Sequence, residues 1–278
     1  AMAEGDVLQI VVFSIFFAIA LGMIGEKGRP VVEWCEAVAE TMFKVTNIVM
    51  HYAPIGVGAA IAYTVGHGGL GVLWNLAWLV TTLYVALIVL IFCVFLPIAI
   101  MFRVPIRKFA MAVKEPAVIA FSTTSSEAAL PRAMEVLERL GVPRRIVSFV
   151  LPLGYSFNLD GSTLYLSLAA VFVAQAAGVQ LTIGQQVTML LTLMLTSKGV
   201  AGVPRASLVI LAGTLASYGL PLEGITLILG VDELMDMART MTNVIGNCLA
   251  TVVIAKWEGE FVEASDQELA VAAAGGGI

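Results

Sequence analysis

Charge is what this sequence most lacks. Asp, Glu, Lys and Arg make up 13% of its 278 residues, against about a quarter in a soluble globular domain. None of them occurs between Lys44 and Arg103, a run long enough to cross a bilayer at least twice at about 20 residues per crossing. With 59% hydrophobic residues and a mean hydropathy of +0.96, the composition excludes an ordinary soluble domain and makes integral membrane protein the class. A basic excess is also missing. The net charge is -5, with the acidic excess gathered after Trp257, so nucleic acid is excluded as a partner. Cysteine is sparse, and Cys35, Cys93 and Cys248 are isolated and odd in number. They read as small apolar fillers, neither a disulfide framework nor a metal site. His51 has no Cys, Asp or Glu nearby in sequence to complete a metal site. The opening AMAEGD has neither the basic region nor the cleavage site of a signal peptide. Ala1 therefore reads as an interior residue of a longer chain, and an N-terminal truncation is expected.

What is present is a series of apolar stretches with consistent punctuation. Residues 8–24 form one short apolar helix ending at GEKGRP. Residues 31–64 follow, with Glu33, Glu36, Glu40 and Lys44 giving the first half a wet face before His51, Tyr52 and Pro54 interrupt it. Residues 73–102 are continuously apolar, with Trp74 and Trp78 at one end and Arg103, Arg107 and Lys108 at the other. An aromatic anchor opposite a basic cap places residue 103 inside the cell.

From residue 109 the arms become too short to span. Residues 109–140 hold two helices around FSTTSSEAALP and carry basic residues at both ends, which predicts a re-entrant hairpin entered from the cytoplasm. Its Ser/Thr-rich tip would sit at membrane depth, where protein or a wet cavity must satisfy the backbone. The alternative use of residues 123–126 is to cap the helix that begins at Glu127. Residues 146–177 are apolar around NLDG, and Asp160 is the only charged residue between Arg145 and Lys198. A lone carboxylate beside Asn158 and Gly161 predicts an unwound helix holding a cation or a proton. Residues 186–219 repeat the hairpin plan around SKGVAGVP, entering from outside. The last helix is expected over 222–257, and 258–278 reads as a disordered acidic tail. Within that helix Asp232, Asp236, Arg239, Asn243 and Asn247 recur every three to four residues in an apolar run, forming one stripe. Polar groups there are costly unless they pair or meet a ligand, which singles out Asp236 and Arg239.

Residues 109–177 and 188–257 thus share one plan, hairpin then carboxylate-bearing helix, and start from opposite sides. The expected fold is an all-α membrane protein, an inverted-repeat secondary transporter with two re-entrant helical hairpins and broken helices. An anion channel, which also uses re-entrant hairpins, and a structural membrane subunit are the readings from other classes.

FSTTSSEAALP, LPLGYSFNLDG, SKGVAGVP and DMARTMTNVIGN, in this order and spacing, resemble the dicarboxylate/amino acid:cation symporter family of glutamate/aspartate and C4-dicarboxylate transporters. The match covers nearly all of residues 8–260, with the family's first three helices and the start of the fourth missing. The resemblance implies a homotrimer in the cell inner membrane, multi-pass, and a transporter rather than an enzyme. It assigns residues 1–66 to a trimerisation scaffold and 71–257 to a moving transport domain. No cofactor is implied beyond co-transported H+ or Na+.

Residue by residue, the resemblance makes Arg239 the partner of the substrate's distal carboxylate and Asp236 that of an α-amino group. Thr240 and Asn243 contact substrate, Ser125 and Ser126 hold the α-carboxylate, and Val200 to Gly202 close over it. Ser156, Asn158, Asp160, Asn247, Glu127 and Lys198 make up the cation or proton site. Asp236 and Thr240 favour an acidic amino acid, since a plain dicarboxylate brings no ammonium for Asp236. Glu127, NLDG, Lys198 and the Asn247–Cys248 pair look more like the C4-dicarboxylate members, which keeps succinate, fumarate or malate as the alternative. Sodium-driven members carry Asp where Asn247 stands. A neutral amide there, with Lys198 beside the region of the second sodium, favours proton coupling through Glu127 or Asp160. Sodium at Asn158 and Asp160 is the alternative.

Overall fold

The computed structural model describes residues 7–199 and 207–263. Val200 and Gly202, with the rest of the second tip, and residues 264–278 of the expected tail lie outside the described residues. Among the described residues the fold is helical throughout, with no strand. The order is α1 (Val7–Ile24), α2 (Arg29–Met50), α3 (Ala53–Gly68), α4 (Gly71–Leu90), α5 (Leu96–Met101), α6 (Ile106–Thr123), α7 (Ser126–Leu140), α8 (Arg144–Phe157), α9 (Asp160–Ala176), α10 (Ile183–Thr196), α11 (Ser207–Ser217), α12 (Glu223–Leu229) and α13 (Asp232–Trp257).

Two stretches are long and apolar enough to cross a membrane, Gly71–Met101 and Arg144–Ala176. The first is helical throughout but changes pitch at a π-helical turn, Ile91–Phe95, between α4 and α5. Pro97 explains the change. It has no N–H for the carbonyl four residues back and its ring crowds that carbonyl, so the turn before it widens. The second stretch is interrupted at Asn158 and Leu159, between α8 and α9.

Two compact units are present. One comprises residues 7–77, 169–199 and 208–231. In it α1 packs on α10, and α3 packs on α12. Gly230 allows that second contact, since a Cβ there would stand 2.6 Å from an Ile61 side-chain carbon. Helix α10 starts with a capping box: Thr182 Oγ1 accepts from the Gln185 N–H at 3.3 Å, and Gln185 Oε1 accepts from the Thr182 N–H at 2.9 Å. Many apolar side chains of α1 and α2 stay exposed, Phe16 and Trp34 among them, as lipid- or protein-facing surfaces do.

The other unit comprises residues 78–168, 207 and 232–263 and is organised around α13, which packs on α6, α7 and α8. Leu137, Leu140, Val147, Leu151, Val244, Cys248 and Val252 form its apolar centre. Cys248 is buried there as a filler, and a Tyr84 hydroxyl donating to the Leu234 carbonyl at 2.8 Å ties α4 to α13. Helices α6 and α7 pack along each other and are clasped by Arg132, which reaches Glu115 on one arm and Glu135 on the other.

Two expectations need revision. Residues 222–257 are not one helix: Gly230 and Val231 separate α12 from α13, so the polar stripe starts at a helix N-terminus with Asp232 and Glu233 in its first turn, where acidic groups are favoured. Nor is the segment from 258 free of structure. Residues 258–263 fold back, with Glu260 paired to Arg145, Glu263 to Lys108 at 3.0 Å, and the Val262 N–H donating to the Gly141 carbonyl at 3.1 Å. Acidic composition suggested disorder, but these acids meet the basic residues at the helix ends.

Candidate functional site

Helix α13 carries the site because its polar residues share one face and that face is turned inward. Asp232, Asp236, Arg239, Thr240, Asn243 and Asn247 are all buried. Glycine lets α9 approach that face. A Cβ on Gly161 would lie 2.5 Å from the Arg239 carbonyl oxygen, so the two backbones touch. Gly154 does the same on α8, where a Cβ would lie 2.3 Å from Asn247 Oδ1.

Around Arg239 the contacts are charged. Arg239 Nε donates to Asp236 Oδ1 at 2.8 Å, and Thr240 Oγ1 donates to the same oxygen at 2.9 Å. The guanidinium carbon stands 4.0 Å from the centroid of the Tyr165 ring, a cation–π distance. The Tyr165 hydroxyl in turn donates to Asp232 Oδ1 at 2.6 Å. Held at Nε and across its face, the guanidinium leaves Nη1 buried without a hydrogen-bond partner among the described residues. Such a donor costs about 1–3 kcal/mol unless something accepts from it, and a carboxylate matches its fork.

One turn further along the same helix the contacts are amide contacts. Asn243 Oδ1 accepts from the N–H groups of Gly161 at 2.8 Å and Ser162 at 3.4 Å, and its Nδ2 donates to Ser162 Oγ at 2.9 Å. These are orphan donors of the first turn of α9, so Asn243 caps a helix in another part of the chain. Asn247 Nδ2 donates to the Asn158 carbonyl oxygen at 3.2 Å, satisfying backbone where α8 breaks. With its amide nitrogen turned toward the carboxylate, Asn158 donates to both Asp160 oxygens at 3.1 and 3.2 Å. Gly246 admits that carboxylate, whose Oδ2 would be 3.4 Å from a Cβ there. Asn158, Asp160, Asn243 and Asn247 are thus brought together. Ser156 is exposed on α8.

At the tip between α6 and α7, Thr124 has a φ of 51°, the left-handed conformation that turns the chain between the arms. Ser125 caps α7, its Oγ accepting from the Ala128 N–H at 3.3 Å, so the capping use applies to Ser125. Ser126 is buried and Glu127 is exposed in the first turn of α7. Lys198 lies in the 3-10 turn Ser197–Gly199, half-buried, in the other unit.

Spacing and composition do not single out Tyr165, and they mark Asp232 only as part of the stripe. The available signal was register. Gly161, Tyr165 and Ala169 lie four apart on α9, and a lone aromatic between two small residues on a close-packed face has room to project toward a neighbour.

Buried, partly neutralised carboxylates on a helix beside a broken one mark a candidate site for a charged ligand. Residues 1–257 match the Sodium:dicarboxylate symporter family, and the chain belongs to that family. The family is one of symporters, not enzymes. The chain is 50% identical over 261 residues to the "Proton/sodium-glutamate symport protein" of Bacillus subtilis (strain 168), covering 94% of this chain and 61% of that protein. It is 48% identical over 262 residues to the "Proton/glutamate-aspartate symporter" of Escherichia coli (strain K12), covering 94% and 60%. A "C4-dicarboxylate transport protein" of Bacillus subtilis (strain 168) is 44% identical over 269 residues, covering 96% and 64%. The chain spans about three fifths of the length of the first of these relatives.

Proposed function

We propose that the protein is a secondary symporter for acidic amino acids, glutamate or aspartate, coupled to protons and working by alternating access in the cell inner membrane. The observation that carries this reading is the buried Arg239 guanidinium, held by Asp236 and Tyr165 with Nη1 open. Arg239 takes the side-chain carboxylate of the substrate. Asp236, with Thr240 beside it, takes the ammonium.

Charge balance favours coupling. Asp160, Asp232 and Asp236 set three carboxylates against the one guanidinium of Arg239, all within one unit, and an acidic amino acid adds a further net negative charge. In a low-dielectric interior that load calls for a cation taken up with substrate. Asp160, faced by the Asn158 amide, is the proton carrier favoured here, with Glu127 as the second candidate. Asn247 being an amide argues against a strong sodium site, since a hard cation prefers several oxygens with negative charge among them. Relatives named for both proton and sodium coupling keep Na+ at Asn158 and Asp160 as the second reading, and a relative named for C4-dicarboxylates keeps those acids as the second substrate class.

The same reading makes α6–α7 and α10–α11 the two re-entrant hairpins, with Ser125 and Ser126 at the tip of the first. Residues 1–66 then belong to the scaffold of a homotrimer and 71–257 to the moving domain. The test is uptake of radiolabelled L-aspartate and succinate into proteoliposomes under a pH gradient and, separately, a sodium gradient. Aspartate uptake driven by pH alone is expected. Succinate uptake in preference to aspartate would overturn the role of Asp236, and a strict sodium requirement would overturn proton coupling.

A further inference from the structure

A groove of about 340 Å³ lies between the α4–α5 stretch, α6 and α13, with the π-helical turn Ile91–Phe95 along one wall. Phe92, Phe95, Phe109, Val113, Ile245 and Leu249 are among its walls. The lining is apolar apart from one charged side chain, Lys114. A volume in the range of about 300–1,000 Å³ accommodates a small ligand, and on a membrane-spanning surface the apolar matter at hand is an acyl chain.

Charge decides which lipid. Arg107, Ala110 and Lys114 lie at i, i+3 and i+7 of α6, on one stripe, and Ala110 and Lys114 both line the groove. Side chains on a helix lean toward its N-terminus, and a lysine in apolar surroundings extends its ammonium toward water. Both effects carry the Lys114 charge back toward Arg107. Neighbouring charges are already matched: Lys108 with Glu263 and Glu115 with Arg132. Arg107 and Lys114 are exposed and show no ion pair among the described residues.

We infer that this groove is a binding site for an anionic phospholipid, with one acyl chain along Phe95, Phe109 and Leu249 and the phosphate between Arg107 and Lys114. A zwitterionic lipid fits the apolar walls equally well but leaves the two cations facing its own ammonium group. Near-surface basic residues contribute about 1 kcal/mol each toward anionic lipid, or about fivefold per residue in local enrichment. The pair therefore selects phosphatidylglycerol over phosphatidylcholine by roughly 25-fold.

The experiment places a reporter in the groove as Phe92→Trp and measures its fluorescence in bilayers of the two lipids mixed. Either the phosphatidylglycerol or the phosphatidylcholine carries brominated, quenching chains at the same mole fraction. The parent chain, with its four native tryptophans, supplies the background to subtract. Quenching several-fold stronger by brominated phosphatidylglycerol is expected, falling to equality in Arg107→Gln/Lys114→Gln. Size-exclusion profile and helicity check that the double variant is folded. Equal quenching in the parent-charge protein would show a groove filled by bulk lipid and overturn the inference. Quenching by neither lipid would show the groove covered by protein, and a preference that survives the double substitution would remove the two cations from the site. Each of these sinks it.

Discussion

The first turns of α13, from Asp232 to Thr240, bury full charges, whereas the turns that follow, at Asn243 and Asn247, meet α8 and α9 with amides. Asp236 pairs with the Arg239 guanidinium, Tyr165 lies against that guanidinium and donates to Asp232, and Arg239 Nη1 is left without a partner among the described residues. At Asn243 and Asn247 the side chains satisfy backbone of the broken helix, and Asp160 is the carboxylate they surround. Buried charges are held only by partners, so removing one is severe. Amides hydrogen-bonded to backbone cost little to bury. On the proposed function, the charged group would recognise the substrate and the amide group would carry the cation.

The largest break in that comparison is Arg239→Ala. It leaves Asp232 and Asp236 buried without their cation, a loss of about 3–5 kcal/mol when one partner of such a group is removed. Uptake should also fall, by about 100-fold, because removing one partner of a buried charge pair with the bound ligand costs about 2–5 kcal/mol of binding. Arg239→Lys should not restore it, since an ammonium cannot supply both the fork and the stacked face. Wild-type-like uptake by either variant in proteoliposomes would remove Arg239 from the site.

Gly161→Ala tests whether the two groups depend on one backbone contact. The added methyl meets the Arg239 carbonyl at 2.5 Å, a main-chain atom that cannot rotate away. Overpacking of this kind costs about 1–3 kcal/mol, and separation of α9 from α13 moves the Tyr165 ring off Arg239 as well as the Gly161 N–H off Asn243. Lower thermal stability together with weaker substrate binding is expected. A variant with unchanged stability would mean that the helices already stand further apart.

Asp160→Asn separates recognition from coupling. A pH difference of one unit is worth about 1.4 kcal/mol per proton, so symport with one proton sustains about tenfold accumulation. The variant should lose that accumulation while still exchanging internal for external substrate, because the Arg239 group is intact. Undiminished pH-driven accumulation would move the proton to Glu127, and loss of exchange as well would make Asp160 a support of the fold.

How much of this was legible in the sequence follows from what each element depends on. The α13 stripe was readable because helical spacing is local: Asp236, Arg239 and Thr240 lie three to four apart and pair within one turn. The break at Asn158 was readable because Asn, Asp and Gly are costly inside an apolar helix. That Asn243 would cap α9 was not, since its partners lie 81 and 82 residues away and spacing carries no sign of them. The start of α13 was misplaced because Gly230 alone does not fix a boundary in an apolar run. Residues 258–263 were misjudged because composition records their charge without the Arg145 and Lys108 that meet it.

Tyr165→Phe is the smallest and most selective change. The ring stays under the guanidinium, so the cation–π contact is retained, and only the hydroxyl that donates to Asp232 at 2.6 Å is lost. A buried hydrogen bond of this kind contributes about 1 kcal/mol, more when its acceptor is charged, and Asp232 then competes with Asp236 for the Arg239 guanidinium. The distal carboxylate of the substrate should bind about fivefold more weakly, raising KM for aspartate, while the pH dependence of uptake stays as in the parent because Asp160 and its amides are untouched. Tyr165→Leu, which removes the ring too, should raise KM further. A shift in the pH profile of Tyr165→Phe would mean that the charged group and the amide group of α13 share a proton, and the division of labour between them would not hold.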